Sequence, residues 1–144
     1  MTEEQPNLDE LKGFNAGIVD EFRANRGKVG GPFEGADLLL LTTTGAKSHQ
    51  PRVNPLAYQR IDGKLIIAGS FRGADVNPAW VHNLRATPRA HIEIGGDSYD
   101  VLARELPRLE RDAAWARFTE AAPGFAEYQQ KTSRVIPLFE LSRA

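Results

Sequence analysis

The 144-residue chain contains no cysteine. That absence excludes disulfides, thiolate nucleophiles, thiolate zinc sites and cysteine-held iron–sulfur clusters, and it suits a reducing cytosol. Long apolar runs are also missing. The longest purely apolar stretch, Leu38–Leu41, falls far short of the about 20 residues that a spanning helix needs, so no integral membrane segment is expected and the cytoplasm is the expected location. Met1–Glu10 is polar and acidic, unlike a secretory signal. Nor is there an excess of one charge: 18 Lys and Arg stand against 19 Asp and Glu, a net charge of −1. No global field draws in nucleic acid or an anionic membrane, so an anion site must be a local cluster of basic groups. The three histidines, His49, His82 and His91, share no ligand-like spacing with one another or with carboxylates, and no metal site is expected. There is no Gly-x-Ser-x-Gly elbow, and the carboxylates do not pair into an acid–base dyad. By elimination, the chemistry is expected to belong to a bound cofactor.

What is present reads as one globular domain over 1–144, since the length leaves little room for two and 26% charged against 41% hydrophobic residues is an ordinary globular balance. Leu8, Leu11, Ile18 and Phe22, with Phe14 and Val19 beside them, predict an amphipathic helix over 8–25. Asn7 or Asp9 would cap its start, and Gly27 and Gly30-Gly31 would end it. Leu38–Thr43 suits a buried strand, and residues 52–60 a second one that must accommodate Pro55. Asp62-Gly63, between Tyr58-Gln59-Arg60-Ile61 and Lys64-Leu65-Ile66-Ile67-Ala68, is a hairpin signal because both turn positions need positive φ. Gly95-Gly96 predicts another, between alternating Ala90, Ile92, Ile94 and Tyr99, Val101, Ala103. Asn77-Pro78 reads as a capping side chain followed by a first-position proline, opening a helix to about Ala86. Pro107 opens a further helix with Leu109, Ala113, Ala116 and Phe118 toward the core, ending near Pro123-Gly124. A short helix from Phe125 to Lys131 and a last strand over Val135–Leu141 complete the reading. Short hairpins with a helix inserted between strand pairs are not a repeating βαβ pattern. They predict an antiparallel sheet curled into a small barrel with helices outside.

Two stretches concentrate the polar chemistry. In Thr42-Thr43-Thr44-Gly45-Ala46-Lys47-Ser48-His49-Gln50-Pro51-Arg52 a strand leads into a glycine turn with a compact cation, Lys47, and a planar fork, Arg52, at the mouth of the next strand. Both suit phosphate, and Gly45 lets backbone N–H groups face the same anion. Gly-Ala-Lys-Ser looks superficially like a P-loop, but Leu40 stands where the upstream glycine is required, and the flanks read as strands. On composition alone a solvated basic hairpin loop is the competing reading. In Ala68-Gly69-Ser70-Phe71-Arg72-Gly73-Ala74-Asp75-Val76-Asn77-Pro78-Ala79-Trp80 a strand passes through small residues into a helix start, which offers free N–H groups to a phosphate or an electron-rich carbonyl. Ser70 could donate a hydrogen bond there. Trp80 would line a ring pocket or, alternatively, sit in the core.

At these stretches the sequence resembles the deazaflavin (F420)-dependent nitroreductases and quinone reductases of actinobacteria. The resemblance runs over roughly residues 30–142, through Gly30-Gly31-Pro32-Phe33, Leu39–Gly45, Lys47, Pro51–Leu56, Gly73-Ala74, Asn77-Pro78-Ala79-Trp80 with Asn83-Leu84, Tyr128-Gln129 and Thr132-Ser133-Arg134-Val135-Ile136-Pro137. It implies a mainly β fold with flanking α-helices, the split β-barrel of FMN-binding-like proteins. It also implies hydride transfer from reduced coenzyme F420 to a small conjugated acceptor such as a quinone or nitroaromatic. Under it Lys47, Ser48 and Arg52 hold the phosphate end of the cofactor. Val53, Asn54, Pro55, Ala68, Gly69, Ser70, Arg72, Gly73, Ala74, Asn77, Pro78, Ala79, Trp80 and Asn83 surround the rest. The chain departs from its relatives in carrying Phe71-Arg72 where lysine and glycine are usual. The best-known nitroreductase of the family lines its acceptor pocket with tyrosines; the matching positions here are Ala57, Ala122 and Phe125, with Tyr128 retained. Tyr128 and Ser70 are the candidate proton or hydrogen-bond donors. The alternatives are an FMN-binding oxidoreductase or a non-catalytic F420 carrier. Monomer and homodimer both stay open, as does peripheral membrane contact.

Overall fold

Alternating inward and outward side chains mark six strands, and the chain closes them into a ring. The computed structural model describes residues 8–27, 37–70 and 75–144, with side chains of the first helix described from Ala16 onward. The elements in chain order are α1 (Leu8–Ala24), β1 (Leu38–Thr44), β2 (Pro51–Ile61), β3 (Lys64–Ala68), α2 (Ala79–Ala86), β4 (Arg89–Ile94), β5 (Asp97–Glu105), α3 (Arg108–Ala121), α4 (Gly124–Gln130) and β6 (Leu138–Arg143). The barrel runs β1-β2-β3-β6-β5-β4 and closes β4 onto β1, with every pairing antiparallel. This is the expected barrel with helices outside.

The pleat divides the apolar residues into three groups. Leu39, Leu41, Leu65, Ile67, Ala90, Ile92, Val101, Phe139 and Leu141 fill the interior, and α2 packs Trp80, Val81 and Leu84 against them. On the outside of β1 and β2, Leu38, Leu40, Val53 and Ala57 meet Ile18, Val19 and Phe22 of α1. On the outside of β3 and β6, Ile66, Ala68 and Leu138 meet Phe118 of α3, with Phe125 and Tyr128 of α4 packed against the group. Each large side chain so buried stabilises the fold by about 1.5–3 kcal/mol.

Local chemistry accounts for the turns. Asp62 and Gly63 take φ of 53° and 78°, as a two-residue type I′ hairpin demands. The expected end of α1 at Gly27 is observed. Gly27 N donates to Phe22 O at 2.8 Å, the long bond of a Schellman ending, and Arg26 takes the left-handed position at φ 54°. Asn7 and Gly30-Gly31 lie outside the described residues, as does the Asp9 side chain. Pro55 is accommodated because β2 pairs with β1 alone over Pro51–Ala57 and turns to β3 only over Tyr58–Ile61. The proline therefore sits where one side of the strand makes no ladder. A bidentate ion pair, Arg23 Nε and Nη2 to the Glu93 carboxylate at 3.0 and 2.9 Å, ties α1 to β4.

Three expectations are corrected. The helix after Asn77-Pro78 begins at Ala79 with no side-chain cap, because the Asn77 amide oxygen accepts from Arg134 instead. On α3, Leu109 is 87% exposed and Ala113 and Ala116 are exposed; the inward face is Arg111, Ala114, Trp115 and Phe118. The last strand starts at Leu138 rather than Val135, because Ile136 N donates to the Gln129 side chain and Ile136 O accepts from Arg111. Those side chains take the backbone groups that a ladder would use.

Candidate functional site

The basic stretch forms a compact six-residue turn between β1 and β2. Gly45 N donates to Gln50 O at 2.8 Å and His49 N to Gly45 O at 2.9 Å, with His49 in the left-handed region at φ 58°. A side chain at Gly45 would force Ser48 to move: its Cβ would lie 2.4 Å from Ser48 Oγ and 3.2 Å from Gln50 O. Ser48 Oγ in turn accepts from Gln50 N at 3.2 Å and from Arg52 Nη2 at 3.3 Å. The turn thus folds Ser48 back over itself and draws in the Arg52 guanidinium. Lys47 and Arg52 are both exposed. Among the described residues no carboxylate lies within ion-pair distance of either. Two exposed cations, neither ion-paired with a described residue, therefore share one short turn, a candidate anion cradle.

Asn83, buried in α2, anchors this turn. Its Oδ1 accepts from Ala46 N at 2.9 Å and its Nδ2 donates to Thr43 Oγ1 at 3.0 Å. Thr43 is 2% exposed, so both ends of the amide are committed to fixing the residue next to Lys47. Trp80, 3% exposed, lies edge-on to Phe139 with ring centroids 5.7 Å apart. Of the two readings, the ring is in the core and braces α2.

The second stretch is gathered by a residue that the sequence reading left without a role. Arg134 Nη1 donates to Gly69 O at 3.0 Å and to Asn77 Oδ1 at 2.7 Å, and Nη2 donates to Ser70 O at 2.8 Å. Burial pushes the Arg134 guanidinium pKa down. Gly69 is packed closely: a Cβ there would meet Val81 Cγ2 at 2.7 Å and Pro137 Cγ at 3.0 Å. Phe71, Arg72, Gly73 and Ala74 lie outside the described residues.

Between the two stretches runs the outer face of β2. Residues 53–59 are all half-buried, and alternation places Val53, Pro55, Ala57 and Gln59 outward. Val53 and Ala57 border α1, and Gln59 Nε2 donates to Phe118 O of α3 at 2.9 Å. The β2–β3 ladder ends at Tyr58, which pairs with Ile67, and Ala68 pairs with Leu138 of β6. Phe125 packs edge-on to Tyr128, with centroids 5.7 Å apart, and both pack against the buried cluster that includes Ala68. The Tyr128 ring is half-buried. Ala68, Phe125 and Tyr128 thus belong to the cluster outside β3 and β6, Ala57 belongs to the one outside β1 and β2, and Ala122 lies between α3 and α4. A cleft of about 200 Å³ between the β2–β3 turn and α3, lined by Ile61, Ala114 and Arg117 among others, shares no residue with the cradle. Among the described residues no three His, Asp or Glu side chains group as a metal site, and no helix is long and apolar enough to cross a membrane.

Comparison with known proteins places these features in context. Residues 17–142 match the model of the F420H(2)-dependent quinone reductase family. Over 126 residues the chain is 37% identical to an F420H(2)-dependent quinone reductase of Mycobacterium tuberculosis, covering 85% of each. Among solved structures, an F420-H2 dependent reductase, FDR-A, is 39% identical with a TM-score of 0.66 over 74% of this chain and 94% of that one. A domain-swapped dimer is 34% identical with a TM-score of 0.68 over 94% and 98%.

Proposed function

Because this chain belongs to the F420H(2)-dependent quinone reductase family, we propose that it transfers a hydride from reduced coenzyme F420 to a small conjugated acceptor such as a quinone or nitroaromatic. The observation that carries the reading is the pair of exposed cations, Lys47 and Arg52, neither ion-paired among the described residues, on a hydrogen-bonded turn at the end of a half-buried strand face. When bound, the reduced deazaflavin supplies the hydride; the protein supplies position and charge.

Lys47, Ser48 and Arg52 grip the cofactor phosphate. Val53, Asn54 and Pro55 on β2, and Ala68, Gly69 and Ser70 at the end of β3, border its body. Arg72, Gly73 and Ala74 belong to the same proposed site, as do Asn77, Pro78 and Ala79 ahead of α2. Asn83 and Trp80 act behind this surface by fixing the turn and the helix. Ala57, Ala122, Phe125 and Tyr128 border the acceptor, and their small or apolar side chains exclude water while leaving room for a flat ring. Holding the two reacting carbons at roughly 3–3.5 Å is the main contribution asked of these residues. As negative charge develops on the acceptor oxygen, a hydrogen bond from the Tyr128 hydroxyl, or from Ser70, stabilises it.

The decisive experiment is fluorescence titration of the full chain and of Lys47→Ala and Arg52→Ala with F420. Each substitution should weaken binding by about 1.5–3 kcal/mol, the range for a charged hydrogen bond. Unchanged affinity in both variants removes the cradle from the site, and binding of FMN in place of F420 transfers the reading to a flavin enzyme. Tight F420 binding without oxidation of the reduced form by any quinone, nitro or enone acceptor makes the protein a carrier. Tyr128→Phe should lower turnover with a quinone and leave F420 affinity nearly intact. The acceptor is expected to be met in the cytoplasm, and co-sedimentation with liposomes tests contact with a bilayer surface.

A further inference from the structure

Arg134 lies in the irregular segment between α4 and β6, yet its guanidinium reaches the other side of the site. Three donated bonds join Gly69 O and Ser70 O, at the end of β3, to Asn77 Oδ1, just ahead of α2. The three acceptors are neutral and are taken by two nitrogens of one planar group, so the fork fixes their relative positions as a point charge would not. Arg134 is itself held from the opposite side. Its carbonyl accepts from Gln129 Nε2 at 2.7 Å, and Gln129 Oε1 accepts from Ile136 N at 3.0 Å and Arg111 Nη2 at 2.9 Å. Gln129 is the α4 residue that follows Tyr128. A continuous hydrogen-bonded path therefore runs from the helix carrying Tyr128, through Arg134, to Ser70 and Asn77.

We infer that Arg134 is a positioning residue that sets the acceptor-side helix against the cofactor-side strand end. This rests on the reading of Ser70, Asn77 and Tyr128 given above. Arg134 touches neither reactant in this account. It fixes the separation of the two surfaces between which hydride must pass, and displacements of about 1 Å there cost on the order of 100-fold in rate.

The test uses the full-length chain and its Arg134→Lys and Arg134→Ala variants. Three quantities are read: thermal midpoint, F420 affinity by fluorescence, and the single-turnover rate of reduced F420 with menadione. Lysine keeps the charge but loses the fork. Arg134→Lys should therefore stay folded and bind F420 within a few-fold of wild type while its single-turnover rate falls by about 10-fold or more. Arg134→Ala should show a larger fall that millimolar guanidinium ion partly restores. A wild-type rate in Arg134→Lys overturns the inference. So does a loss of rate matched by an equal loss of F420 affinity with no response to guanidinium, which makes Arg134 a general structural tie. If Arg134→Ala does not fold, the lysine variant alone decides. Should the unsubstituted protein bind F420 yet fail to oxidise it, or fail to bind, the proposed function falls first, and that failure is read from the wild-type control before any variant.

Discussion

Asn83 illustrates how a single buried amide can brace the turn proposed to hold the cofactor. With Oδ1 on Ala46 N and Nδ2 on Thr43 Oγ1, it holds the backbone beside Lys47 against α2. Asn83→Leu would leave a partly buried N–H and a buried hydroxyl without partners, so a loss of about 1–3 kcal/mol is expected in urea denaturation, with weaker F420 binding although Lys47 and Arg52 remain. Gly45→Ala addresses the same turn from the other side. Its methyl would meet Ser48 Oγ, the atom on which Arg52 rests, so F420 affinity should fall more than stability does. At this scale the sequence was informative about charge and silent about support. Lys47 and Arg52 stand out because both are cations in one short turn. The bonds of Asn83 and Arg134 cross 37 and 65 residues of chain, and nothing local in the sequence announces a partner so far away.

Among the elements, α3 shows where periodicity misled and why. Counting apolar letters predicts Leu109, Ala113, Ala116 and Phe118 as the core face, but the helix is rotated so that Arg111 takes a core position. It does so without an unpaired charge: Nε donates to Ile136 O at 2.9 Å, Nη2 to Gln129, Nη1 to Asp112 at 3.0 Å, and the guanidinium lies 4.4 Å from the Trp115 ring centroid. An arginine whose donors are met and whose stem is apolar can occupy such a site. The assignment is checked by denaturant midpoints. Leu109→Lys should change stability by no more than about 0.5 kcal/mol, whereas Phe118→Ala should cost about 3–5 kcal/mol; a large effect of the first would restore the periodic reading. The two glycine hairpins, by contrast, were legible to the residue, because positive φ is a local demand. The start of β6 was not, since Val135 and Ile136 have strand propensity that side-chain bonds from Gln129 and Arg111 override.

For the molecule as a whole, the ion pair that attaches α1 to β4 responds to pH. The hydrogen bond from Arg23 holds the Glu93 carboxyl below the usual carboxylate range, against a smaller opposing effect of desolvation. A lowered folded-state pKa adds stability above the ordinary carboxylate value, and this is lost as pH falls through the lowered one. The side chains are 51% and 23% exposed, so solvent limits the effect to about 0.2–1 kcal/mol. Glu93→Gln should therefore be slightly less stable than wild type at neutral pH and match it in acid, with urea midpoints across pH as the measurement. Equal offsets at every pH would remove the ion pair from the attachment of α1.

The ring of six strands also constrains how such a protein can change. In an open sheet an edge strand can slide or be added; here each strand is gripped on both flanks over at least part of its length, and a slip of one residue would have to travel the whole circumference and turn every inward side chain outward. Tolerance for alteration must therefore lie outside the hoop, in the helices laid against it and the short residues left between them. Attempts to retune which oxidant fits should succeed by enlarging Ala122 or the outward-facing Ala57, or by shrinking Phe125, and should fail by altering the inward-facing side chains of the staves.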